Sequence, residues 1–248
     1  MPWILYNVVM VKKMNARDLI DIDKRIQEKI GNNYDNKNKK RKPIYDGIID
    51  VNLYLNSPTR IMWVLKEPYE KKNGDGGGWK LGEDLLDKKT RHKVILRKLP
   101  AMQVMTYITY GVFYNKLYEE MKKIRQDPEM SEVLTHIAWI NLSKMPSLSY
   151  SKSYSLWNEY NIWREILLEQ IENYRSDVII FGNTFGYFRN DIVDDKIKVF
   201  SKEHIDYFLK NERLFIDAYH PNQRQIKRQI YINEIIKTIN ELKINKLK

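Results

Sequence analysis

Four short apolar runs, spaced by longer helical patterns, constrain this chain more than any other feature. They are Ile61-Met62-Trp63-Val64-Leu65, Ile137-Ala138-Trp139-Ile140-Asn141-Leu142, Asp177-Val178-Ile179-Ile180-Phe181-Gly182 and Leu214-Phe215-Ile216-Asp217-Ala218-Tyr219. Runs of this length, rich in β-branched and aromatic residues and bounded by turn residues, read as buried strands. Strands apolar on both faces belong to a parallel sheet whose crossover helices cover both sides. The sequence therefore predicts an α/β fold: a three-layer α/β/α sandwich with a central, mainly parallel four-stranded sheet. It reads as a single domain over 1–248, with 1–56 as an N-terminal elaboration whose first 14 residues form a short strand or an ordered arm.

Helical periodicity fills the intervals. Leu19, Ile20, Ile22, Ile26 and Ile30 fit one helical face, with Asn15 or Asp18 as cap and Gly31 as stop. A long pattern from Met102 to Arg125 carries Tyr107, Tyr110, Phe113, Tyr114 and Tyr118. An aromatic stripe at that spacing is packing, and it is assigned no chemistry. A helix from Leu156 to Tyr174 is capped by Ser155, Asn183-Thr184 caps a short one, and residues 202–210 form another. The last runs from Arg224 to Leu242. The segment 31–43 is a basic polar loop, and Asn73-Gly74-Asp75-Gly76-Gly77-Gly78-Trp79 is a loop with little side-chain bulk.

Charge narrows the partners. With 43 Lys+Arg against 32 Asp+Glu the formal charge is +11, which points to a polyanion, nucleic acid before an anionic membrane. A solvated Lys-rich surface would give the same number. The chain has no cysteine, which removes disulfides, thiol nucleophiles and Cys-ligated metals and fits a reducing cytoplasm. No apolar run approaches the roughly 18 residues of a membrane span. Asn7 interrupts the apolar start and no cleavage site follows, so no signal peptide is read.

Three strands end in a polar residue beside a proline or loop: Glu67 before Pro68 and Tyr69, Asn141 with Pro146 further on, and His220 before Pro221. Proline stops a strand because it has no N–H for the ladder. In a parallel sheet these ends lie on one edge, where ligands bind, so a carboxylate, an amide and an imidazole are expected to face one cleft. Each also has a plain structural reading: a surface ion pair, a turn cap and a structural histidine.

The order of these pieces resembles the uracil-DNA glycosylase superfamily over roughly residues 60–240. Leu65-Lys66-Glu67-Pro68-Tyr69 looks like the family's Gly-Gln-Asp-Pro-Tyr. Trp139-Ile140-Asn141 is similar to its base-reading strand, Ile179-Ile180-Phe181-Gly182-Asn183 to its apolar strand with a small end residue, and His220-Pro221-Asn222 to its His-Pro-Ser. Glu for Asp, Lys for Gln, the missing first Gly and Asn222 for Ser are departures, and the absence of cysteine excludes the iron–sulfur cluster of some branches. The resemblance implies a monofunctional DNA glycosylase, without metal or other cofactor, that removes uracil or a modified cytosine such as occurs in phage DNA. By the same resemblance Glu67 orients water and stabilises the cationic sugar, and His220 stabilises the departing base. Tyr69, Asn141 and Gly77 bind the base, Tyr69 and the glycine loop setting which C5 substituent is accepted. Lys66, Asn222, Gln223, Arg224, Lys227 and Arg228 contact DNA, with Gln223 or Arg224 as the wedge that fills the stack. An exposed helix start whose basic residues serve solubility is the competing reading of that last segment. The expected partner is double- or single-stranded DNA, with no membrane, for a cytoplasmic monomer. The alternatives from other classes are a catalytically silent DNA-binding relative and an unrelated α/β protein that binds RNA.

Overall fold

The computed structural model describes residues 15–33, 42–68, 76–96, 100–147 and 153–246. Helix α1 (Ala16–Asn32) buries Leu19, Ile26 and Ile30, and its cap is Asn15, whose side chain accepts the Asp18 amide at 2.8 Å. The short strand β1 (Gly47–Ile48) and α2 (Val51–Leu55, capped by Asp50) precede β2 (Ile61–Leu65), all five of whose residues are buried. Then come α3 (Glu83–Leu86), α4 (Lys88–Leu96), α5 (Pro100–Tyr114) and 3-10 segments at Tyr118–Glu120 and Pro128–His136. The second half runs β3 (Ala138–Asn141), α6 (Ser153–Asn173), β4 (Val178–Gly182), α7 (Phe185–Ile192), β5 (Phe200–Ser201), β6 (Ile205–Lys210), β7 (Arg213–Ala218) and α8 (Arg228–Lys246).

The sheet order is β1-β3-β2-β4-β7-β6-β5. β3, β2, β4 and β7 are mutually parallel, and their ends are level: Leu65 pairs with Asn141, and Gly182 with Ala218. Alternation along the strands divides the core in two. Ile61, Trp63, Leu65, Ile180 and Ile216 pack with α5 and α8 on one face. Met62, Val64, Ile140, Phe181 and Phe215 pack with α1, α6 and α7 on the other. After β2 the chain crosses to the α5 side and forms β3; after β4 it crosses to the α7 side and on to β7. The crossovers therefore diverge between the carboxyl ends of β2 and β4, which is where a crevice opens in a sheet of this kind.

The four strands read from sequence form the parallel centre, but among the described residues the sheet has seven strands, not four. Residues 202–210 are mostly strand β6 rather than helix. Asn211 and Glu212 take φ of 49° and 61°, and two positive φ values in a row make a tight hairpin turn into β7. The long pattern from Met102 ends early because Asn115 adopts φ 50°, a left-handed helix stop. The last helix starts at Arg228 instead of Arg224, and Ser155 lies inside α6 rather than capping it. Within the segment read as an elaboration, β1 and α1 join the sheet and the core directly. The readings for residues 1–14, for 34–41 of the basic loop, for Tyr69 and for 73–75 lie outside the described residues.

The hairpin is core structure: Phe208 is buried and stacks on Phe215 at 4.9 Å and 8°. Phe208→Ala is expected to cost about 3–5 kcal/mol, as a large core truncation does. Urea unfolding measures it, and a loss below about 1 kcal/mol would mean that this ring is not packed as described.

Candidate active site

The site is assembled by backbone first. Beyond β2 the chain stays tied to the segment after β3: Leu142 N–H donates to Leu65 O at 2.8 Å, Ser143 N–H to Lys66 O at 2.8 Å, and Ser147 N–H to Pro68 O at 2.9 Å. These bonds hold Glu67 at the sheet edge. Its Oε2 is buried and has no hydrogen-bond partner among the described residues. Tyr187 of α7 lies within its field: burial first, and then the Glu67 carboxylate, raise the Tyr187 hydroxyl pKa above its ordinary value.

Asn141 ends β3 on the same face as Leu65, and its side chain is buried. Its backbone N–H donates to Asp46 Oδ2 at 2.6 Å. Its side-chain Nδ2 is buried without a partner among the described residues. The site thus holds an unused acceptor on Glu67 and an unused donor on Asn141.

His220 follows β7 and is brought across the sheet edge by a missing side chain. A Cβ on Gly182 would stand 2.6 Å from Leu65 Cδ2, 3.0 Å from Pro221 Cδ and 3.7 Å from His220 Cα. His220 therefore sits over β4, two strands or about 10 Å from β3 at ordinary strand spacing. Asn183 completes the turn at φ 60°, and its N–H donates to Ala218 O at 2.7 Å. Burial, followed by the charge of Lys66, lowers the imidazole pKa to about 4, so the ring is neutral at physiological pH. The Asn222 N–H donates to Nδ1 at 3.1 Å, which places the ring proton on Nε2. His220 is thus a neutral donor through Nε2–H.

The remaining sequence-nominated residues divide. Lys66 is brought to His220. Asn222 serves His220 through its backbone. Gln223 is turned inward: its Oε1 accepts the Ile226 N–H at 2.7 Å and its Nε2 donates to Ile226 O at 3.0 Å. That leaves Arg224 as the exposed wedge candidate. Lys227 is exposed just before α8, and Arg228 begins the helix and reaches Gln103 at 3.4 Å. Gly77, with φ 88°, packs on Lys42; a Cβ there would meet the Lys42 carbonyl at 1.8 Å, so its bareness admits neighbouring backbone. Bonds from Lys42 N to Gly76 O and from Gly78 N to Pro43 O lace this segment down.

Sequence reasoning missed Asp46, Lys144 and Tyr187, whose partners are remote in the chain. Among the described residues no group of three or more His, Asp or Glu side chains is arranged to hold a metal ion, and no helix is long and apolar enough to cross a membrane. No protein-family model matches the chain, and no curated protein matches it.

Two expectations follow from this geometry. A proton NMR titration should place His220 near pH 4, moving upward in Lys66→Met because a repelling charge is lost. Since the unfolded histidine binds its proton near pH 6.5, stability should fall as pH drops from 6.5 towards 4; an unshifted His220 midpoint would contradict the burial described. Gly182→Val should cost at least about 1–3 kcal/mol through overpacking and return the His220 midpoint towards its ordinary value. An unchanged midpoint would show that Gly182 does not seat the histidine.

Proposed function

We propose that this chain is a monofunctional DNA glycosylase of the uracil-DNA glycosylase type, a three-layer α/β/α protein acting as a cytoplasmic monomer on double- or single-stranded DNA. The observation that carries the reading is the neutral His220, an Nε2–H donor, on the same sheet edge as the buried Glu67 Oε2 and Asn141 Nδ2, neither of which has a hydrogen-bond partner among the described residues. The formal charge of +11 supports a polyanionic substrate.

The chemistry asks for these groups. A base must leave the stack to be reached, at a cost of a few kcal/mol. As the N–C1′ bond breaks, its electron pair goes to the base and positive character develops on the sugar. His220 Nε2–H donates to the carbonyl oxygen of the departing anion. A neutral donor suits this role, because it stabilises the anion while keeping its own proton, and the Lys66 charge nearby favours an anion further. Glu67 faces the cationic sugar and orients water, whose oxygen bonds to C1′ and whose proton passes to the carboxylate or solvent. Asn141 reads the Watson–Crick edge; its amide can match uracil or a modified cytosine. Tyr69 would flank C5 of that base, and Arg224, Lys227 and Arg228 would meet the backbone or the gap in the stack.

The test is incubation with duplex and single-stranded oligonucleotides carrying one uracil, 5-hydroxymethylcytosine or glucosylated cytosine, followed by alkali. Strand scission at one of these bases is expected. His220→Ala and Glu67→Gln should each slow single-turnover scission by about 10²–10³-fold, the loss typical of one preorganised transition-state group. Tight DNA binding with no alkali-labile site on any of these substrates would instead identify a silent DNA-binding relative.

A further inference from the structure

Beneath Asn141 lies a set of polar side chains that the proposed reaction does not use. Asp46, Lys144 and Gln170 are all fully buried. Lys144 Nζ meets Asp46 Oδ1 at 2.6 Å and Gln170 Oε1 at 2.8 Å. Gln170 Nε2 donates to Asp46 Oδ1 at 3.0 Å and to its carbonyl at 3.1 Å, and Gln27 Nε2 donates to the same carbonyl at 2.8 Å. Asp23 takes Gln27 Nε2 at 3.1 Å and the Tyr174 hydroxyl at 2.6 Å. An ion pair wholly inside a protein gains little stability over apolar residues of the same shape, so its presence calls for another reason.

The geometry supplies one. β1 pairs with β3 only at Trp139 and Ala138, so the outward N–H of Asn141 has no strand carbonyl to meet. Asp46 stands there instead, and its two oxygens go to two ends of one short segment. Oδ2 takes the Asn141 N–H, and Oδ1 takes the ammonium of Lys144, three residues on. The Ile44 N–H closes the far side on Lys144 O at 2.7 Å. The segment that carries Asn141 is therefore clasped by a single carboxylate whose bonds are charge-assisted and short. All of this fixes the backbone, while the buried Nδ2 of the Asn141 amide head has no hydrogen-bond partner among the described residues.

We propose that Asp46, neutralised by Lys144, is a positioning residue that clamps Asn141 so that its free amide presents one fixed orientation to the base, and thereby sets base discrimination. Asp46 touches no substrate; it acts through Asn141. The clamp is also laced to the glycine segment, since Tyr45, its neighbour, accepts the Leu81 N–H at 2.7 Å and donates to Trp79 O at 3.1 Å. The discrimination part rests on the glycosylase reading, and the clamp part does not.

The test uses the full chain with Asp46→Asn, and Asp46→Asn with Lys144→Met, which removes both buried charges and guards against an unfolded single variant. In the folded variant, hydrogen exchange at the Asn141 amide should quicken by about tenfold relative to Ile140, the change expected when a charge-assisted bond becomes a neutral one. The Asn141 side-chain amide, one sharp NMR pair in the wild type, should broaden or double. In cleavage, the preference for the best base over its nearest competitor should fall about tenfold or more, while the effect of His220→Ala is unchanged. An unaltered Asn141 amide in the folded double variant would overturn the clamp. Altered amides with unaltered discrimination would overturn its role in base choice. A wild type that cleaves none of the bases would remove the glycosylase reading, with the amide measurements still deciding the clamp.

Discussion

A hydrogen in place of a side chain at position 182 is the constraint on which the site depends. At the carboxyl end of β4, Leu65 comes from one side and Pro221 from another, and the space left is too small for a methyl group. That contact allows the segment after β7 to fold back across the sheet edge, which carries His220 off its own strand and towards β2. With a normal strand exit His220 would stay three strands from Asn141, about 14 Å at ordinary spacing. The level ends of the four parallel strands do the rest, because they place Leu65, Asn141 and Gly182 at one height.

The electrostatics of the edge are arranged in depth. A fully buried carboxylate and ammonium lie below Asn141, and burial holds the Lys144 pKa below its ordinary value even as Asp46 pulls it up. Above them, burial first and then the charge of Lys66 keep His220 uncharged. The edge thus carries a neutral donor within the field of a cation, His220 with Lys66, and a buried Glu67 Oε2 that has no hydrogen-bond partner among the described residues. In the proposed reaction these groups would meet the anion and the cation into which the glycosidic bond separates. At the same edge, beside β6, Asp217 faces Asp206 across the hairpin and its pKa is raised to about 6, chiefly by burial and then by that like charge.

Much of this was legible in the sequence where one segment carried its own signal. The four central strands were readable because every residue of Ile61–Leu65 and Val178–Gly182 is buried, leaving no polar face. Glu67 and His220 stood out because each precedes a proline at a strand end. β6 was misread because Ile205, Phe208 and Leu209 also fit a helical spacing, and the turn that corrects it uses Glu212, a residue seldom found at positive φ. β1 and β5 have two residues each, too few to show alternation. Asp46 gave no signal because its partner Lys144 is 98 positions away. The glycines of 76–78 were read as room for a ligand, whereas Gly77 makes room for the backbone of Lys42.

The reaction proposed at this edge is the cleavage of an N-glycosidic bond by water. Its most direct measurement is mass spectrometry of the products formed from an oligonucleotide with one modified pyrimidine in heavy-oxygen water. Attack at C1′ with His220 stabilising the leaving base predicts an unlabelled free base and one heavy oxygen on the abasic sugar. Heavy oxygen in the released base, or an oligonucleotide that stays intact with each of the candidate bases, would contradict it.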